Sequence, residues 1–133
     1  MKLVFVDTVG ILALLERSDQ WHVRATQAWE SLVEAARPVC TTTLVLLECG
    51  NAAARKPYRR RVAEIRKEFQ ADGTLIAPTA SDIDTAWDAY ERGEAGNAGI
   101  VDVISFAVMR RLGLREVFSC DAHFQAAGFQ TLF

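Results

Sequence analysis

This chain has no cysteine framework, no excess of one charge and no long apolar run. Cys40, Cys49 and Cys120 are odd in number and show no C-x-x-C spacing, so neither a zinc site nor a redox motif is indicated. Three unpaired thiols suit a reducing compartment, and the expected location is the cytoplasm. Fifteen Lys and Arg against 17 Asp and Glu leave a formal charge of −2, with no global pull toward nucleic acid or membrane. Any attraction to a polyanion must come from a local patch. The apolar run Leu3–Val6 stops at Asp7, too short for a signal peptide or a membrane span. No repeat, low-complexity tract or linker interrupts the 133 residues, so one domain over 1–133 is expected.

Strand and helix patterns alternate along the chain. Lys2–Val6 is a short, β-branched apolar run that predicts a buried strand. A short helix over Gly10–Arg17 is expected next, then an amphipathic one with Trp21, Ala25, Ala28, Trp29, Leu32 and Ala36 at helical spacing. Pro38 stops it before a strand at Val39–Thr41. Thr42 or Thr43 caps a helix running to about Arg55, and Tyr58, Val62, Ile65 and Phe69 mark the following one. Asp72-Gly73 turns the chain into a strand at Thr74–Ala77. Ser81-x-x-Asp84 reads as a capping box for a helix bearing Ile83, Ala86, Trp87 and Tyr90. Glu91–Gly99 is a polar loop, and Val101–Leu112 a central helix, apolar nearly all round and ended by Gly113. Glu116–Cys120 is a fourth strand and Gln130–Phe133 a fifth. The pattern predicts an α/β domain with a mainly parallel sheet of four to five strands flanked by helices. Sites in such sheets lie beyond the strand carboxyl ends, where strand order reverses.

Four carboxylates stand out by position. Asp7 ends the first strand and Asp121 follows the fourth; either can be a functional group or a helix N-cap. Asp102 lies in the first turn of an apolar helix, where the dipole alone suits a carboxylate. Glu48 is the one charged residue in Leu44–Cys49, and an unpaired buried carboxylate must neutralise or find a partner. Asn51 and Arg55 continue its stripe. Gathered in one cleft the four would repel: two unit charges about 5 Å apart cost roughly 3 kcal/mol at an effective dielectric near 20. A cation or protonation must answer them. An all-oxygen cluster suits a hard ion such as Mg²⁺ or Mn²⁺.

These residues fall in segments that resemble the PIN-domain nucleases and, within them, the VapC-type toxins of prokaryotic toxin–antitoxin pairs. The segments are Val4–Thr8, Thr41–Asn51, Val101–Met109 and Ser119–Phe124, the last followed by Ala127-Gly128-Phe129. They come in the family's order and nearly span the chain. The resemblance implies a single PIN-like domain, a divalent-metal-dependent endoribonuclease, and Asp7, Glu48, Asp102 and Asp121 as its acidic set. Asp7 would be the central ligand, with Glu48 and Asp102 completing the shell and Asp121 a ligand or base. Thr8, Asn51, Ser105 and Ser119 would hold waters or a phosphate oxygen, or serve only as caps and turns. Relatives often carry a further acid shortly before the third; here Gly96–Ile100 has none, so one-ion and two-ion sites both stay open.

The resemblance also implies an RNA substrate, a small cognate antitoxin and a homodimer. The antitoxin would anchor apolar residues on the helices of Trp21 and Trp29 and reach Glu48 with an Arg or Lys. Arg55, Lys56, Arg59, Arg60, Arg61, Arg66 and Lys67 form the one strongly basic segment, either an RNA-backbone patch or a solvated helix face. His22 reads as structural, and His123 as a packing or surface residue in preference to a substrate contact. Phosphatase chemistry fits poorly, because the position two after Asp7 is Val9. A receiver domain fits poorly too, because no Lys follows Lys67. RNA maturation and a catalytically inactive binding module are the remaining alternatives.

Overall fold

The computed structural model describes residues 2–133. Strand β1 (Val4–Val6) leads into α1 (Thr8–Leu15) and α2 (His22–Glu34), then β2 (Val39–Thr42), α3 (Thr43–Ala52), α4 (Arg59–Ala71) and β3 (Leu75–Ile76). The chain then forms α5 (Ala80–Glu91), α6 (Ile100–Leu112), β4 (Glu116–Phe118), α7 (Ala122–Ala126) and β5 (Gln130–Thr131). The five strands make one sheet in the order β3-β2-β1-β4-β5, every pair parallel. Among the described residues no helix is long and apolar enough to cross a membrane.

The middle strands have no solvated face. Val4, Phe5 and Val6 of β1 and Val117 and Phe118 of β4 are all buried, as expected for parallel strands covered by helices on both sides. Trp29 of α2 meets Phe118 edge-on at 5.2 Å between ring centroids. On α6, Val103, Ile104, Phe106, Val108 and Met109 are buried, and Gly113 ends the helix at φ 69°, a left-handed conformation open to glycine.

Several element ends differ from the sequence expectation. The α5 capping box is Thr79 with Asp82, two residues before the expected Ser81–Asp84 register. Arg111 of α6 decides it, because its guanidinium donates to both Asp82 oxygens at 2.8 Å. Helix α1 begins at Thr8, since Asp7 caps it directly, and α3 stops at Ala52. Trp87 is 49% exposed and pairs only edge-on with Tyr90, so it is no core residue.

Strand order reverses beside β1. From β1 the chain builds outward to β2 and β3, then crosses to β4 on the other flank. The cleft at the carboxyl ends of β1 and β4 is therefore the switch point. Gly10 lets α1 approach it. A Cβ on Gly10 would run into the carbonyl oxygen of Phe118, which also accepts the Asp7 N–H at 3.3 Å. Gly50, on the exposed side of α3, has nothing within 4 Å of such a Cβ. The two glycines should respond to alanine with opposite signs in urea unfolding. Gly10→Ala should cost about 1–3 kcal/mol through overpacking. Gly50→Ala should gain up to about 1 kcal/mol from helix propensity.

Candidate active site

Three chain segments reach the switch point because each ends a strand or begins a helix there. Asp7 leaves β1 and caps α1; its Oδ2 accepts the Val9 N–H at 3.4 Å and the Ser119 hydroxyl at 3.1 Å. Its Oδ1 is buried with no hydrogen-bond partner. Burial foremost, and then the charge of Asp102, raise the Asp7 pKa from 3.8 to about 7 against the lowering pull of those hydrogen bonds.

Asp102 lies in the first turn of α6, half-buried. Its pKa rises to about 6, mainly by desolvation, with the charges of Asp121 and Glu48 adding and His123 opposing. Asp102 thus feels each of the other three acids. Glu48 finds its partner in Thr8, whose hydroxyl donates to Oε1 at 2.7 Å. Cys49, fully buried beside it, has its thiol pushed up to about 12 by desolvation, with Asp7 and Glu48 contributing.

Ser119 joins the two strand ends. It donates to Asp7 and accepts the Asp121 N–H at 3.0 Å. Asp121 caps α7 by accepting the His123 N–H at 2.9 Å, so the cap reading of its sequence position is realised within the same cleft. Ser105 sits one turn after Asp102 with its hydroxyl buried and unpartnered.

Not every expected residue bonds to the acids. Asn51 and Arg55 are exposed, and no side-chain hydrogen bond ties either of them to the acids. In the basic segment, Arg61 pairs with Glu68 at 2.7 Å and Glu64 at 3.4 Å, and Lys56 with Glu16 at 3.4 Å. Arg60 and Arg66 remain on the wall of an open groove between α3 and α4. His123 is closer to the acids than its sequence position suggested. One ligand atom each from Asp102, Asp121 and His123 lie within 4.8 Å of one another. Its Nε2 lies 3.0 Å from the Oδ1 of Asn97.

The side chains fit a divalent cation. An orphaned buried oxygen on Asp7, two carboxylates with raised pKa values and a three-residue donor cluster are what a site holds before positive charge arrives.

The PIN domain family model matches residues 4–130. The 23S rRNA-specific endonuclease VapC20 of Mycobacterium tuberculosis is 31% identical over 132 residues, covering 96% of this chain and 95% of the relative. The crystal structure of that organism's VapC20, described as a sarcin-ricin loop cleaving toxin, superposes with a TM-score of 0.77 at 30% identity, over 95% of each chain. DNA-bound VapBC from Salmonella typhimurium shares the fold at a TM-score of 0.68 and 14% identity, over 98% of this chain and 97% of that one. FitAcB from Neisseria gonorrhoeae does so at 0.66 and 16%, over 98% and 96%. Fold, motif order and similarity along almost the whole length agree: the chain belongs to the PIN domain family.

Proposed function

We propose that this chain is a divalent-metal-dependent endoribonuclease and the toxin of a toxin–antitoxin pair. The observation that carries the catalytic part is the unanswered Oδ1 of Asp7, buried beside Asp102. A carboxylate in that position is costly without a cation, and an enzyme that uses one has reason to keep it. Asp7, Asp102 and Asp121 are the residues we assign to hold Mg²⁺ or Mn²⁺, with Glu48 at the edge of the shell. When bound, such an ion supplies a Lewis acid that activates water and offsets charge on the phosphodiester.

The chain's own groups supply placement. Ser119 fixes Asp7 and Asp121 relative to each other through its two hydrogen bonds. Thr8 holds Glu48 toward the cleft. The hydroxyl of Ser105 is buried and unpartnered, so an enclosed water and not a phosphate oxygen is the partner we assign to it. Arg60 and Arg66 stand in the α3–α4 groove as cations for an RNA backbone. The relative's substrate, 23S rRNA, is the first RNA to offer.

An antitoxin has a surface to use. A groove of about 530 Å³ runs between α1, α2 and α4, floored by Ile11, Leu14, Trp29, Ile65 and Phe69 and edged by Arg17, Glu68 and Asp72. Trp29 lines it; Trp21 packs under Arg24, 5.0 Å from its ring centroid.

Purified protein should cut RNA with Mg²⁺ or Mn²⁺ and stop in EDTA. Asp102→Asn should slow cleavage by at least roughly a hundredfold, the upper end of the loss known for groups that merely support a ligand. Undiminished cleavage in excess EDTA, contaminating nuclease excluded, contradicts the mechanism. Expression alone should arrest growth. Co-expression with a small protein encoded next door should restore it, and the two should copurify; free growth of cells making the wild type alone contradicts the toxin reading.

A further inference from the structure

We propose that His123 is a nitrogen ligand of the metal site, held for that purpose by Asn97, and that it biases the site toward Mn²⁺ over Mg²⁺. This rests on the metal-dependent reading above and adds a ligand that the acidic set does not contain.

The argument is geometric. The Nδ1 of His123 lies 3.0 Å from Asp121 Oδ1, and the two residues form, with Asp102, a triad offering one ligand atom each within 4.8 Å. The other ring nitrogen, Nε2, faces the carbonyl-type Oδ1 of Asn97 at 3.0 Å. That oxygen accepts, so hydrogen sits on Nε2. The Nδ1 facing Asp121 Oδ1 is then bridged either by a proton, as an imidazolium–carboxylate pair, or by a cation, and we assign the cation. Two ligands bound at about 2.1 Å and at right angles are about 3.0 Å apart, which matches the observed separation. A metal-bound histidine ordinarily donates its second ring N–H to a carbonyl or carboxylate, the part Asn97 takes here. Asp7 supplies the independent sign that charge is missing nearby, because its Oδ1 is buried and unpartnered in a residue only 1% exposed.

The chemistry of the donors sets the preference. Mg²⁺ favours oxygen ligands and retained waters, whereas imidazole favours transition ions. A site with one imidazole among its carboxylates therefore gives Mn²⁺ a contact that Mg²⁺ uses poorly.

Electron spin-echo spectroscopy on the full chain loaded with Mn²⁺ tests this directly. Imidazole ¹⁴N modulation should be present in wild type and absent in His123→Gln. The assignment is clean: the chain has two histidines, and the Nδ1 of the other, His22, lies 2.8 Å from the Ala13 carbonyl. Calorimetric titration should show His123→Gln losing about tenfold or more in Mn²⁺ affinity, with Mg²⁺ affinity changed less than about twofold. Asn97→Ala should weaken Mn²⁺ binding in the same direction while keeping the ¹⁴N signal. Bound Mn²⁺ with no ¹⁴N modulation in wild type overturns the proposal, leaves the metal-dependent nuclease intact, and means that a proton closes the His123–Asp121 contact. Failure to bind Mn²⁺ or Mg²⁺ at all overturns both.

Discussion

A carboxylate buried at the end of the first strand, with one oxygen answered and the other bare, is the constraint around which this molecule is arranged. Asp7 can sit there because β1 is covered on both faces and because α1 begins immediately after it, supplying a backbone donor to Oδ2. The same helix must pass close to the Phe118 carbonyl, which is why Gly10 has no side chain to spare. Ser119 then extends the arrangement to Asp121 across the sheet, and α6 delivers Asp102 from the opposite wall. None of these contacts neutralises the negative charge. Ser119, Thr8 and the backbone amides orient carboxylates without adding a cation, so the fold holds a site ready for positive charge at a cost to its own stability. Proteins commonly accept such a cost where function requires it.

Much of this was legible because it rests on local pattern. Three consecutive buried residues in β1 leave an apolar β-branched run, and a run that stops at an acid marks a strand end. The nearly all-apolar α6 and its terminal Gly113 were equally plain. Glu48 announced itself by being charged where its neighbours are not. What stayed hidden depends on contacts between distant residues. The register of the α5 cap is settled by Arg111, 29 residues away from Asp82. The His123–Asn97 contact spans 26 residues and joins a loop to a helix start, so neither residue carries a signal alone. Trp87 fits an apolar helical stripe yet faces solvent, since periodicity marks a face without saying whether anything covers it. Arg55 continues the Glu48 stripe in sequence, but α3 ends at Ala52, so helical spacing no longer places it; Asn51 stays on the helix, exposed.

The proposed function gives the acidic and basic parts of the surface different work on RNA. The cleft itself is negative and would repel a phosphate until a cation is present. Arg60 and Arg66 line the α3–α4 groove, whose wall carries no acidic residue. The groove between α1, α2 and α4, apolar at its floor and charged at its edge, is a third region. A net charge of −2 conceals this division, because opposite patches cancel in the sum.

The central claim is that Asp7 is held against its own electrostatic preference, and the pH dependence of metal-free stability tests it most directly. Its pKa of about 7 in the folded chain exceeds the usual 3.8, so between those values the native state binds the proton that the unfolded state has released. Its contribution to stability is therefore present at low pH and is lost as pH rises toward and through 7. Asp82, held low by Arg111, acts in the opposite sense but only at more acid pH. Thermal melts in EDTA should show wild type losing stability from pH 5 to pH 8. Asp7→Asn, which keeps the cap and the Ser119 contact without the charge, should show a flatter profile and melt above wild type at pH 8. An Asp7→Asn protein that melts below wild type at pH 8, with the same slope, would contradict the account.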